Sequence, residues 1–597
     1  MKSTILRVME LFTKREKKKL LLLFLLMIIA ALFETIGIGL IVPFVGIVLN
    51  PDMILEQPLL ASIYTFLSFE STKGFIIFAV LFLLTVFVLK NFYLLGYHYI
   101  QFRIILNQQV RLSQQLFKSY LMKPYVFHIE RNSSELLRNV NGEVNRVFSG
   151  IVIASFQLLT EMLVIACIGV LLFLSAPIAM LTALILISGS CFLFFRLFRT
   201  KIQHLGEELQ HVNGEMIKWV HQGLAASKEV KVSGKEAFFI RGYMKHSQIA
   251  VNNSRTMRML ELTPRLFIET LLVSIVLITM LIIVFQGKEM VELVSTMALF
   301  AMAAFRLMPS ITKVLALITT IKYSQPALKV VLEDLNRNSE LYQPSTDDIK
   351  IAPGEKAFER AIELKGVSFR YPNQREYAIQ DMSLTIPIGK SVAIIGESGA
   401  GKTTLVDLLL GLFEPEKGQV AVDGVDLQEL LTLWQQKVGY IPQHIFLSDD
   451  TIRNNVAFGL AKDEIEDQEV WRALEQAQLK TFVENLPNKL DTMVGERGVR
   501  LSGGQRQRIG IARALYHHPE ILFMDEATSA LDQETEKEVM KAVDGLKGQK
   551  TFIIIAHRLT TIENCDIVFK LKNGRLHSVN NKMGDVLAAG LVKEGVT

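Results

Sequence analysis

The residues Gly396-Glu397-Ser398-Gly399-Ala400-Gly401-Lys402-Thr403 have the types and spacing of a phosphate cradle. Glycines at the first and sixth places, then Lys and Thr, match G-x-x-x-x-G-K-[ST]. In such a loop the backbone N–H groups turn inward around phosphates. Lys402 would reach the β- and γ-phosphates, Thr403 would ligate Mg²⁺, and Thr404 would continue the cradle. An ordinary glycine-rich loop is the alternative, and its context argues against it. The apolar run Val392 to Ile395 reads as a strand and Thr404 to Leu412 as a helix. That helix N-terminus adds unpaired donors and a positive dipole end. Downstream, the apolar strand Ile521 to Met524 ends in two acids, Asp525 and Glu526. Asp525 is placed for the Mg²⁺ shell, while Glu526 points away from it and could polarise a water. His557 ends another apolar strand, Thr551 to Ala556.

These residues need an α/β domain, and the pattern supplies one from Ile362 onward, where short apolar strands alternate with helices. The boundaries expected are 1–325 for a membrane part, 326–360 for a linker rich in Pro and charge, and 361–597 for the nucleotide domain. At 597 residues several domains are required, and the apolar half of the composition points to a membrane part joined to a soluble one. A net charge of +5 gives no reason to expect a nucleic-acid partner. Cys167, Cys191 and Cys565 have neither metal-ligand nor disulfide-framework spacing. The basic start, Lys14 to Lys19, precedes an apolar run too long for a signal peptide, so a retained membrane helix is expected.

Spans of about 20 mainly apolar residues fall near 20–49, 75–97, 150–175, 177–197, 265–286 and 293–322. Long polar stretches, about 98–149 and 198–262, keep helical apolar spacing, as in Leu112, Leu116 and Tyr120. Basic residues sit before the first span and in these stretches, which the positive-inside rule places in the cytoplasm with both termini. Segment 50–73 reads either as a short interfacial helix with Ile54, Leu59, Leu60, Ile63, Phe66 and Leu67 on one face, or as a packed loop. Ionisable residues inside or near the spans are Glu34, Lys90, Glu161, Arg265, Glu269 and Arg306. A charge in a membrane is costly and marks a candidate substrate contact. Arg306 lies ~20 Å along its span, near mid-membrane. Pairing of Arg265 with Glu269 at i, i+4 is the structural alternative.

Taken together the motifs resemble those of an ATP-binding cassette (ABC) exporter half-transporter, an all-α six-helix membrane domain fused to an α/β P-loop ATPase. The resemblance covers the whole nucleotide domain, and no nucleotide-site motif departs from the family pattern. It implies ATP and Mg²⁺ as cofactors and a hydrolysing site. It implies that Tyr371, in Phe369-Arg370-Tyr371-Pro372, stacks on adenine, and that Gln443 senses Mg²⁺. Ser502-Gly503-Gly504-Gln505 would contact the γ-phosphate of ATP held by a partner subunit, so a homodimer is expected. Ser529 to Asp532 resembles the D-loop, His557 the switch histidine, and Val494 to Gly498 the exporter-specific loop. Turns near Lys123-Pro124-Tyr125 and Gln222 to Ala226 would transmit nucleotide state to the membrane helices. The membrane half looks closest to the lipid-linked oligosaccharide flippases, the PglK-like proteins, through Thr263-Pro264-Arg265 with Glu269, Ala304 to Ser310, and Lys90. Those cations would suit an anionic lipid-linked pyrophosphate in the bilayer of the cell (inner) membrane. Other cargo, such as a peptide, lipid or drug, is the alternative. The ~19 residues before the first span leave no room for a peptidase domain. A non-transport ATPase of the superfamily is opposed by the spans and the exporter-specific loop.

Overall fold

The computed structural model describes residues 7–49, 51–69, 71–175, 177–285, 290–336, 358–525, 536–537, 545–556, 562 and 565–580; several helical side chains, among them all those of 279–306, fall outside the description. The chain divides into two compact units. The first holds Met1–Lys123 and Arg131–Leu341, the second Pro124–Glu130 and Tyr342–Thr597.

The first unit is helical: α1 Lys14–Gly39, α2 Thr72–Leu121, α4 Ala154–Ser175, α5 Pro177–Ala225, α6 Ser227–Ser233, α7 Glu236–Phe285 and α8 Met290–Asn336. Among the described residues, Lys14–Gly37, Thr72–Leu121 and Ser133–Val170 are long and apolar enough to cross a membrane. Large apolar side chains such as Ile77, Leu84, Leu89 and Phe92 are exposed along α2, a surface suited to lipid or a partner. Between the helices, Ala31, Val164, Ile168, Ile268, Leu307, Ile311 and Leu315 form one apolar core.

Several helices outrun the apolar spans. α2 continues to Leu121 because its polar half keeps an apolar stripe, with Leu112, Leu116 and Tyr120 all buried, and because no proline interrupts it before Pro124. The linker expected from residue 326 begins later. α8 runs through Pro309 and Pro326 to Asn336, carried by buried Ala327, Leu328 and Val331. Segment 50–73 forms two short helices, Met53–Glu56 and Pro58–Phe66. Ile54, Leu60 and Ile63 pack with Ile47 and Phe75, whereas Phe66 and Leu67 face outward.

The second unit contains the helix α3 Tyr125–Glu130 and two sheets. An antiparallel sheet has the order β2-β1-β4-β5: β1 Ala361–Phe369, β2 Ile379–Pro387, β4 Lys417–Val422 and β5 Val425–Asp426. The larger sheet has the order β10-β9-β3-β8-β7-β6: β3 Ser391–Gly396, β6 Val438–Ile441, β7 Ile521–Asp525, β8 Thr551–Ile555, β9 Ile567–Lys572 and β10 Arg575–Asn580. All its pairings are parallel except β10 on β9. β3 is paired on both edges and buried on both faces, which is why it reads as an unbroken apolar run. Besides the short helix Leu431–Lys437, the helices of this unit's described C-terminal part are α9 Lys402–Leu409, α10 Ile452–Val456, α11 Asp467–Gln476, α12 Lys480–Glu484 and α13 Gly503–Tyr516.

Candidate nucleotide site

The glycine-rich loop leaves the carboxyl end of β3 and enters α9, the edge of a parallel sheet where ligands bind. Two glycines are there for space. A Cβ on Gly396 would lie 2.6 Å from the Leu571 carbonyl oxygen. Gly401 caps α9 with φ of 97°, and a Cβ there would meet the Ala378 oxygen at 2.8 Å. The loop is pinned from outside by the N–H of Gly574 donating to the Ala400 carbonyl at 3.1 Å. Lys402 arches back over the loop and donates to the carbonyl oxygens of Gly396 at 2.8 Å and Glu397 at 3.2 Å. Its ammonium is thereby held against the cradle. Thr403 is exposed at the first turn, and Thr404 is buried.

Asp525 closes β7, and β8 lies between it and β3. Its charge is felt nearby. Burial, reinforced by Asp525, pushes the Asp407 carboxyl up to about 6, and burial with the charges of Asp525 and Asp407 pushes the Tyr440 phenol up to about 12. The Thr403 hydroxyl and the Asp525 carboxylate are hard oxygen donors that suit Mg²⁺. Among the described residues no group of three or more His, Cys, Asp or Glu could hold a metal by itself. That fits an ion taking one or two protein oxygens and the rest from phosphate and water.

Tyr371 is half-buried, edge-on to Phe369 and Phe413 at centroid distances of 5.2 and 5.6 Å, with its hydroxyl 3.0 Å from that of Thr404. Gln443 is exposed two residues beyond β6. Ser502 is the N-cap of α13: its hydroxyl accepts from the Gln505 N–H at 3.2 Å, and the Gln505 side chain accepts from the Ser502 N–H at 2.9 Å. This capping box fixes the first turn, where Gly503 and Gly504 leave backbone donors uncovered by large side chains. Glu526, His557 and Ser529 to Asp532 lie outside the described residues.

Two features were missed by sequence reasoning. Arg513 on α13 donates to the Phe446 carbonyl at 2.8 Å, the Asn455 carbonyl at 2.8 Å and the Asn455 side-chain oxygen at 3.1 Å. Fully buried Asn455 also donates to the carbonyls of Ser448 and Thr451 and accepts from the Ser448 N–H. The helix bearing Ser502 is thus bolted to the segment that follows Gln443. The segment from 447 to 452 in turn holds the loop Val494 to Gly498, through the Val494 N–H on the Asp450 carbonyl at 3.0 Å. The neighbouring asparagines Asn454 and Asn455 between Ile452 and Val456 were the available signal. Second, α3 belongs to this unit. Tyr125 lies 5.9 Å from Phe413, Val126 packs on the same core, and Asn373 donates to Glu130 at 3.1 Å. Phe413 stacks on Phe369 at 4.7 Å and meets Tyr371. A chain of rings therefore runs from the Pro124 turn to the first turn of α9.

The membrane candidates are dispersed. Lys90 sits over the Phe87 ring at 4.7 Å. Arg265 and Glu269 are both exposed on α7, and no ion pair joins them among the described residues. Arg306 lies within α8, its side chain outside the described residues. Glu161 is nearly buried and pairs with Lys313 at 2.8 Å, a cation the sequence reading had not singled out.

Two family models match the chain, one described as ABC transporter over residues 379–529 and one as ABC transporter transmembrane region over residues 36–261. Similar curated proteins include an ATP-dependent lipid A-core flippase of Ralstonia nicotianae, 31% identical over 490 residues that cover 79% of this chain and 78% of the relative. Another of the same description, from Desulfotalea psychrophila, is 31% identical over 511 residues, covering 83% and 86%. Among solved structures, a bacterial Atm1-family ABC exporter with ATP bound superposes with a TM-score of 0.76 at 23% identity, covering 97% of this chain and 99% of that one, which shows the shared fold. The chain is therefore a member of the ABC transporter family, an ATPase for membrane transport whose transmembrane and ATP-binding regions are fused in one polypeptide.

Proposed function

We propose that the chain works as a homodimer and uses ATP to flip an anionic lipid-linked oligosaccharide across the bilayer by alternating access. Lipid transport is carried by one observation: the match over 83% of the chain to a relative described as an ATP-dependent lipid A-core flippase. The transmembrane-region match removes the non-transport ATPase from consideration. Half-transporters of this family generally act as dimers in the bilayer. The uncovered first turn of α13 fits a role in binding ATP held by a partner copy.

In the ATP site, Lys402 and the loop from Gly396 to Thr404 hold the phosphates, and Tyr371 supplies the aromatic platform for the base. Thr403, Asp525 and Gln443 hold Mg²⁺, which when bound neutralises phosphate charge. Glu526 orients and deprotonates the attacking water, and His557 contacts the γ-phosphate. The Arg513–Asn455 bolt makes α13 and the segment after Gln443 move as one piece. The turn at Pro124 follows α2 directly, so the ring chain from Tyr125 to Tyr371 supports its assignment as a coupling element. The basic residues on the first turns of α1, ahead of its apolar run, support cytoplasmic termini.

The pyrophosphate headgroup rests on Lys90, Arg265 and Arg306, since intramembrane cations require an anionic counterpart and Arg offers forked donors to phosphate. The test is a reconstituted flipping assay with a lipid-pyrophosphate saccharide beside a peptide and a drug. ATP-dependent movement of the saccharide alone supports this reading. Movement of only the peptide or drug replaces it with the other-cargo reading.

A further inference from the structure

A groove of about 260 Å³ lies where the N-terminal turn, helical at residues 7–10, packs beside the start of α1 and the residues leading into α4. Its walls are apolar: Val8 and Phe12 on the N-terminal turn, Leu20 and Phe24 on α1, Val152 and Phe156 opposite. Lys17 is the one charged residue in the lining. The N-terminal wall is fixed in place. Phe12 is buried edge-on against Phe148 at 6.2 Å, and the Thr13 N–H donates to Glu16 at 2.8 Å. Glu16 is also paired with Arg111 of α2. That pairing occupies the only acid among Lys14, Arg15, Glu16, Lys17, Lys18 and Lys19, and leaves five exposed cations on the first turns of α1, of which Lys17 lines the groove.

The distance from Lys17 to Phe24 along α1 is ~10 Å. One end of the groove therefore carries Lys17 at the cationic start of a membrane-crossing helix, and the rest of its lining along that helix, Leu20, Leu21 and Phe24, is apolar. A phospholipid has the same polarity: one phosphate anion above an acyl chain. Free phosphate would not fill the apolar part, and a neutral lipid would not use the cations.

We propose that this groove is a binding site for an anionic phospholipid of the bilayer leaflet, with one acyl chain between the N-terminal turn and the start of α4 and its phosphate beside Lys17. Neither Lys90 nor Arg265 lines the groove, so the site does not depend on the identity of the cargo.

The experiment is native mass spectrometry of the full-length protein, titrated with phosphatidylglycerol or with phosphatidylcholine of the same chains. Phosphatidylglycerol should be retained in preference. Lys17→Gln should weaken that retention about fivefold, the share of one lysine near an anionic surface. Ser155→Trp, which fills the groove, should reduce retention of both lipids; should it not yield folded protein, Leu159→Trp at the exposed rim serves the same purpose. Equal retention of the two lipids by the native protein would overturn the proposal. So would unchanged phosphatidylglycerol retention in Lys17→Gln and the groove-filling variant. A change of oligomeric mass in the Trp variant would assign the groove to a second copy. Displacement of phosphatidylglycerol by an equimolar lipid-pyrophosphate saccharide would assign it to cargo.

Discussion

Replacing Arg513 by Ala tests the bolt between α13 and the segment after Gln443. Three hydrogen bonds disappear, and two backbone carbonyls, of Phe446 and of fully buried Asn455, lose their donor. The Phe446 carbonyl belongs to an exposed residue, where water takes the donor's place, so the cost falls mainly on the Asn455 carbonyl and a loss of about 1–3 kcal/mol is expected. The guanidinium's own desolvation tempers the figure, since burial holds its pKa below the ordinary value. Against a typical domain stability of about 5–15 kcal/mol the loss is large without abolishing the fold. Two of the three tryptophans, Trp434 and Trp471, pack in the cores of this unit, so intrinsic fluorescence reports its unfolding. Arg513→Ala, Asn455→Ala and the double variant complete a cycle, with an expected coupling of about 1.5–3 kcal/mol. Arg513→Lys should recover only part, because one ammonium cannot reproduce the guanidinium's spread of donors. ATP hydrolysis should fall in both single variants while nucleotide still binds at the Lys402 loop. Additivity of the two variants within about 0.5 kcal/mol would refute the Arg513–Asn455 side-chain link, and an Arg513→Ala chain of native stability would refute the bolt as a whole.

Gly401→Ala should abolish ATP binding while leaving the rest of the unit folded, because the loop must move to admit a Cβ 2.8 Å from the Ala378 oxygen at φ of 97°; native affinity by nucleotide titration would contradict this. Glu526→Gln should leave binding intact and slow hydrolysis about 10²–10⁴-fold, whereas Lys402→Ala should weaken binding itself; a Glu526→Gln chain that hydrolyses at the native rate removes the general-base role. Asp423 accepts from the N–H groups of Glu359, Arg360 and Ala361 at 2.8–2.9 Å; burial alone would raise its pKa, yet these donors outweigh it and hold it below the ordinary value. Its contribution is therefore present above the unfolded carboxylate pKa and lost as pH falls through the folded one, so the stability gap between native and Asp423→Asn chains should close on acidification; a gap constant from pH 7 to pH 3 would show the carboxylate charge is irrelevant. Lys313→Met should lower thermal stability by about 1–3 kcal/mol, since Glu161 keeps a nearly buried carboxylate, and adding Glu161→Gln should restore most of it; equal melting of single and double variants would show the pair is not coupled.

The nucleotide unit was legible because its chemistry is local. Gly396 to Thr403 lie on consecutive residues, and strand, turn and helix follow from the same run. Ser502 to Gln505 announce their own cap. What escaped was long-range. Nothing near Arg513 shows that it will meet Asn455 or Phe446, and nothing near Tyr125 shows that it will lie beside Phe413. How far the helices of the membrane unit run beyond the apolar spans was not fixed, for a related reason. Apolar content marks where a helix is hydrophobic on all sides, while α2 and α8 continue as helices buried along one stripe only, and prolines at 309 and 326 do not end α8.

The same limit applies to the intramembrane charges, and here the structure changes the argument. From sequence, internal pairing with acids such as Glu34, Glu161 and Glu269 was the structural alternative to substrate contact, with Arg265–Glu269 at i, i+4 as its example. Instead Glu161 is held by Lys313, 152 residues away, and no ion pair joins Arg265 and Glu269 among the described residues. One of the three acids is therefore already committed, and the i, i+4 spacing on α7 has not produced a pair. If the cargo supplies an anion to Lys90, Arg265 and Arg306, as proposed, it does so only transiently, and an ATP-driven transporter that releases its cargo must be able to do without that counter-charge between cycles.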